Sequence, residues 1–189
     1  STYNDRQYPN TALLEFSVDN SAEESAMEIS NNQFNVNYNE NPVKNSNNNI
    51  LRLDFSKDSV IKNNIFTVKN YASEDKPYNL DVIDIFSNEY NHNRNTTLAE
   101  NNIEVNDVDN VNAITVSDKY NTGLTIASNN ITVKSKSSKA INSPDGLQDN
   151  NIIIRNNIIN LTTSSDDVCG ILISTNSEII GNAIIINKT

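Results

Sequence analysis

The stretch "IKNNIFTV" (61–68) reads as an apolar residue, two spacers, an Asn, and then alternation. The figure returns along the chain as Ile29/Asn32/Phe34/Val36, Ile61/Asn64/Phe66/Val68 and Leu98/Asn101/Ile103/Val105. Three further copies are Ile126/Asn129/Ile131/Val133, Ile154/Asn157/Ile159/Leu161 and Ile179/Asn182/Ile184/Ile186. Successive Asn residues lie 32, 37, 28, 28 and 25 positions apart. Self-similarity at such intervals marks a repeat architecture, in which each unit buries its apolar face only against its neighbours. Within the unit the apolar spacing is 2, the period of a strand; a helical repeat would show 3 and 4. "LRLDF" (51–55), "VIDIF" (82–86), "AITV" (113–116) and "GILI" (170–173) read as a further strand after the Asn strand. Segments ending at Ile61, Leu98, Ile126, Ile154 and Ile179 or Ile180 read as the strand before it. A unit of 25 residues with two or three short strands is the length of one turn of a parallel β-helix. The expectation is an all-β solenoid of about six such coils, stacked at strand spacing. It forms a single domain over 1–189, with 1–28 as a first coil or imperfect cap around "ALLEFSV".

Asn makes up about a fifth of the chain, several times ordinary usage. An Asn-rich tract can signal low complexity, but here the Asn residues sit at fixed offsets from Ile, Val and Leu. Two properties suit Asn to a corner between strands. It tolerates left-handed backbone better than other non-Gly residues. Its amide both donates and accepts, so equivalent side chains on neighbouring coils can form a ladder. The expected ladder is Asn32, Asn64, Asn101, Asn129, Asn157 and Asn182.

"NNIIIRNNIIN" and "CGILISTNSEIIGNAIIIN" resemble the right-handed parallel β-helix repeat of pectate-lyase-like proteins. They also resemble Asn-, Ile- and Thr-rich adhesin-like surface proteins of archaea and bacteria. The resemblance covers about residues 25–187. It implies a right-handed coil and an extracellular, cell-surface setting. It leaves activity open, because the same scaffold carries lyases, hydrolases, tailspikes and proteins without catalysis.

Composition removes some classes. The net charge is −10 and the 14 Lys and Arg are scattered apart from "KSKSSK", which argues against a nucleic-acid partner. No apolar run approaches the roughly 18 residues of a membrane span. "STYNDRQYPN" lacks the shape of a signal peptide. "IIGNAIII" leads to Thr189 without an amphipathic cap, and an open strand edge invites pairing. The expectation is a segment of a larger surface protein, or end-to-end contacts with another subunit. Cys169 is the single cysteine, so no internal disulfide forms, and a buried small residue is expected there.

Intervals longer than 25 must hold loops, and such insertions often carry binding. The longest, "NYASEDKPYN" (70–79) and "NEYNHNRNTT" (88–97), contain Tyr71, Tyr78, Tyr90, His92 and Arg94; Tyr38 lies in "NYNENP". Tyr71, Tyr78, Tyr90 and Arg94 are the candidate ligand-binding residues, since aromatic faces pack on sugar rings and Arg bonds hydroxyls. His92 reads as an exposed loop residue. A catalytic alternative rests on carboxylates, because glycoside hydrolysis needs two flanking the bond. "SPDG" (143–146) and "SSDDVCGI" (164–171) are similar to the Asn-Thr-Asp and Asp-Asp motifs of polygalacturonases, which would assign Asp145, Asp166 and Asp167. Ser143-Pro144 stands where that family has Asn-Thr, and neither Gly-His-Gly nor Arg-x-Lys follows. The plainer reading makes "PDG" a turn and "TSSDD" a polar loop. Calcium wants six or more oxygens. "NDVDN" (106–110) offers Asp107 and Asp109, too few in sequence to define a metal site, and no cofactor is expected beyond a structural Ca²⁺ at most. Sequons at Asn95, Asn130, Asn160 and Asn187 match the chance rate of a chain rich in Asn and Thr.

The reading that emerges is a non-enzymatic, adhesin-like surface module. It presents loops to a glycan or to a protein of a host or neighbouring cell, or serves as a rigid spacer. The alternative is a polysaccharide-acting β-helix enzyme or tailspike.

Overall fold

The computed structural model describes residues 10–17, 26–37, 47–54, 57–71, 79–87, 93–117, 121–143, 152–174 and 176–189. Among them every regular element is a strand. One parallel sheet stacks six short strands that precede the repeated Asn: β2 (Glu28–Ser30), β5 (Val60–Lys62), β8 (Thr97–Ala99), β10 (Thr125–Ala127), β12 (Ile152–Arg155) and β15 (Ser177–Ile180). The second sheet has two arms. The first arm follows the Asn and stacks β3 (Gln33–Asn37), β6 (Ile65–Tyr71), β9 (Asn102–Ser117), β11 (Asn130–Ser143), β13 (Ile158–Thr163) and β16 (Ala183–Lys188). The second arm stacks β1 (Asn10–Ser17), β4 (Asn47–Asp54), β7 (Asn79–Phe86), the later halves of β9 and β11, and β14 (Val168–Ile173). All strand pairings among the described residues are parallel. Strands β9 and β11 run through both arms without a break, so they join them. The expected strand at 82–86 begins earlier, at Asn79; that at 113–116 lies inside β9, and that at 51–55 falls in β4 as far as Asp54, with residue 55 outside the described residues.

Position in the repeat decides what each residue meets. Ile29, Ile61, Leu98, Ile126 and Ile154 align on successive short strands and are buried. Phe34, Phe66, Ile103, Ile131 and Ile159 align in the first arm, as do Val36, Val68, Val105, Val133 and Leu161. Leu14, Leu51, Ile83, Ile114, Ile141 and Ile171 align in the second. The inward side chains of both sheets form one apolar cluster. Each fully buried Ile or Leu contributes about 1.5–3 kcal/mol, so the core is distributed along the stack. Phe34 and Phe66 stack with centroids 4.7 Å apart and planes 7° from parallel. The pattern continues into β15 and β16, where Ile179, Ile184 and Ile186 are about half exposed because no further strand lies over them among the described residues.

The second arm tapers. Ile50, Val82, Ala113, Ala140 and Gly170 occupy equivalent places, just before Leu51, Ile83, Ile114, Ile141 and Ile171. At Gly170 an added Cβ would lie 2.7 Å from Ile184 Cγ2. The large residue of β16 therefore requires the small one of β14.

The Asn column forms as expected. Asn64, Asn101, Asn129 and Asn157 are buried. Each donates from Nδ2 to the Oδ1 of the next, at 3.0, 3.0, 3.0 and 2.8 Å through to Asn182, and Asn32 joins below at 3.1 Å. The second Nδ2 hydrogen goes to a carbonyl of the preceding repeat: Ile29, Ile61, Leu98, Ile126 and Ile154 in turn, at 2.8–3.1 Å. Each Oδ1 from Asn64 to Asn182 also accepts the backbone N–H of the preceding Asn in the column, at 2.9–3.1 Å. From Asn64 to Asn157 all four amide valences are used, as burial of a polar side chain demands.

One expectation about the corner is corrected. The left-handed residue is the one before the ladder Asn: Asn31, Asn63, Glu100, Ser128, Asn156 and Gly181, with φ between 54° and 63°. Turning the chain and bridging the repeats fall to adjacent residues. The ladder amide must point into the stack, which an extended backbone permits.

Candidate functional site

The outward side of the second arm carries the most concentrated polar chemistry. Register places Asn79, Asn110 and Ser137 in one column and Asp81, Asn112 and Lys139 in the next. Asp167 precedes β14 and extends the first column, since Ser138 pairs with Val168. These side chains line a groove of 310 Å3, with Val111 between the columns. The site is a grid: rungs about 4.8 Å apart from strand spacing, and columns two residues apart along each strand.

Asp81 anchors the grid. Its Oδ1 accepts from Thr115 Oγ1 at 2.6 Å and from Asn112 Nδ2 at 2.7 Å, leaving Oδ2 without a donor among the described residues. Burial raises its pKa above the ordinary Asp value; the Thr115 and Asn112 hydrogen bonds and the Arg52 charge pull the other way and offset only part of the effect. Arg52 belongs to the next outward column. It lies 3.8 Å from Glu15, 3.9 Å from Asp84 and 3.9 Å from the Phe86 ring centroid. Asn49 Nδ2 also donates to Asp84, at 3.3 Å. Asn110 Nδ2 donates to Asn79 Oδ1 at 3.1 Å. Ser137 Oγ donates to Asp167 at its carbonyl, 2.9 Å, and its Oδ2, 3.1 Å. Lys139 makes no ion pair among the described residues.

The structure separates the adjacent carboxylates Asp166 and Asp167. Asp166 is exposed and meets the Lys188 ammonium of β16, whereas Asp167 turns to Ser137 and the groove. Asp145, Tyr78, Tyr90, His92 and Tyr38 lie outside the described residues. The backbone of Tyr71 closes β6 opposite Val108, and its side chain lies outside the described set. Arg94 is exposed, on a strand-like bridge between Lys57 and Thr122. Cys169 is half-buried rather than buried, with Sγ 3.3 Å from the Ile171 carbonyl; among the described residues β14 pairs on one edge only.

Asp107 and Asp109 do not converge. Asp107 is the extra residue of a β-bulge, at φ 57°, between Asn106 and Val108, which pair with Lys134 and Ser135. Asp109 is fully buried. Each faces its own ammonium, Lys134 at 3.7 Å and Lys136 at 2.5 Å. No group of three or more His, Cys, Asp or Glu suited to a metal occurs among the described residues. No helix there is long and apolar enough to cross a membrane.

Sequence reading passed over Asp81, Asn112 and Lys139. The signal for them was present as polar residues two apart, "NLD" (79–81), "NVN" (110–112) and "SSK" (137–139), at the same place in successive repeats. Compared with known proteins, the chain matches no family model, no curated protein and no solved structure.

Proposed function

We propose that the chain is a right-handed parallel β-helix of about six coils, serving as a rigid, non-enzymatic module of a cell-surface, adhesin-like protein. It holds loops and one polar face for a glycan or a protein of a neighbouring cell. The observation that carries this reading is the in-register Asn column, satisfied through Asn64, Asn101, Asn129 and Asn157. Such a column fixes the rise of every repeat and suits a part that must keep its shape while its surface is used. A far-UV circular dichroism spectrum dominated by β-strand supports the solenoid, and one dominated by helix overturns it.

The competing reading is a polysaccharide-acting enzyme. One observation favours it: two carboxyl groups, the buried Asp81 and the exposed Asp167, line the same groove. Release of reducing or unsaturated ends from a polysaccharide panel, abolished in Asp167→Asn, would replace the non-enzymatic reading. Absence of release across the panel, with and without Ca²⁺, leaves the module as a binder or spacer.

A further inference from the structure

We propose that the groove on the second arm binds a neutral saccharide through neighbouring ring hydroxyls, an assignment that rests on the surface-module reading and names its ligand class. The volume, 310 Å3, is at the small end of ordinary ligand pockets, about 300–1,000 Å3. Among the described residues, Val111 is the one apolar member of the lining. A ligand that earns affinity by burying apolar area therefore finds little purchase, and one that exchanges hydrogen bonds finds many.

The grid alternates acceptors and donors at short range. Asp81 Oδ2 accepts, Asn112 keeps its Oδ1 as acceptor after its amide is given to Asp81, and the Lys139 ammonium donates. Asp167 adds a second carboxylate at the groove's edge. A hydroxyl is both donor and acceptor, so adjacent hydroxyls on one ring can bond Asp81 and Asn112, or Asn112 and Lys139, on neighbouring strands. Asp81 is held by two bonds before any ligand arrives, so part of the site is ordered in advance.

Charge narrows the class. Two carboxylates against one ammonium leave the groove negative within a chain of net charge −10, which disfavours a uronate. The Lys139 ammonium in the same groove disfavours a divalent cation as occupant. A neutral sugar meets neither penalty.

The test uses the full 189-residue chain. Saturation-transfer NMR and titration are run with methyl α-mannopyranoside, methyl β-galactopyranoside, cellobiose and digalacturonate. Binding of at least one neutral glycoside is expected, weakened about tenfold or more in Asp167→Ala and in Lys139→Met, consistent with loss of a charged hydrogen bond. Both substituted side chains are outward-facing, and unchanged melting curves exclude unfolding as the cause. The proposal is overturned if no neutral glycoside binds, if binding survives both substitutions, or if digalacturonate binds more tightly. Circular dichroism judges the solenoid and polysaccharide cleavage judges the enzyme, so either reading can fail without the other.

Discussion

Replacing Asn129 by Ala removes a side chain that takes part in four hydrogen bonds. Its Nδ2 donates to Asn157 Oδ1 at 3.0 Å and to the Leu98 carbonyl at 3.1 Å. Its Oδ1 accepts from the Asn101 backbone N–H and Asn101 Nδ2, both at 3.0 Å. Two partners keep an alternative. Asn157 Oδ1 still accepts from the Asn129 backbone N–H at 2.9 Å, and Asn101 Nδ2 still donates to Ile61 at 2.9 Å. The Asn101 N–H and the Leu98 carbonyl lose the bond they had to this amide, in a region Ala cannot fill. A buried polar group stripped of its partner costs about 1–3 kcal/mol, so two give about 2–6 kcal/mol. Asn182→Ala is the control. It removes comparable bonds at a part-buried position, where water replaces them, and about 1 kcal/mol is expected. Urea unfolding followed by circular dichroism reads both; the midpoint should fall with the slope unchanged. An Asn129→Ala protein within about 0.5 kcal/mol of wild type, or one no less stable than Asn182→Ala, refutes the column as a source of stability.

Glu100 is the charged member of the left-handed column, at φ 57°. Glu100→Gly should raise stability by about 0.5–1 kcal/mol, because strain relieved in the folded state outweighs the added freedom of the unfolded chain; a lower melting temperature would contradict this. Gly170→Ala should destabilise by about 1–3 kcal/mol through the collision with Ile184 Cγ2, and adding Ile184→Ala, which removes that atom, should recover part of the loss in the same melting assay. Asp81 has a folded pKa raised by burial. Its contribution is therefore fully present below the unfolded Asp pKa and is lost as pH rises through the folded value. Asp81→Asn should gain on wild type as pH is raised from the ordinary Asp range upward, measured as the difference between two denaturation series. A gap that does not change with pH would refute it.

The parallel stacking, the inward columns and the ladder were legible because each is a local pattern repeated in one dimension. Ile126, Asn129, Ile131 and Val133 announce their roles within eight residues. Merging of strands in β9 and β11 was not legible. "KSKSSK" (134–139) reads as a polar cluster, yet its Ser135 and Ser138 are buried, and neighbours on both sides hold the segment extended. The left-handed residue was misplaced by one, since Asn31, Asn63 and Asn156 adjoin ladder Asn residues and the sequence does not say which of two adjacent Asn turns the chain. The groove stayed hidden for a different reason. Asp81, Asn112 and Lys139 come together only across strands, and uneven intervals between repeats blur the alignment that would juxtapose them.

Those uneven intervals lead back to the amide column. Repeats of 25 and of 37 residues present their ladder Asn at one common height, so chain length and physical pitch are uncoupled. The segment from Ile126 to Asn129 works as a gauge block, in which one inserted residue would throw the amide out of line. The connections elsewhere in the repeat are free to lengthen without disturbing the next rung. Variation is thereby channelled: the molecule can acquire new surface by insertion at almost any level while the amide column stays in register, and two groups set on successive rungs remain the same distance apart however much chain separates them.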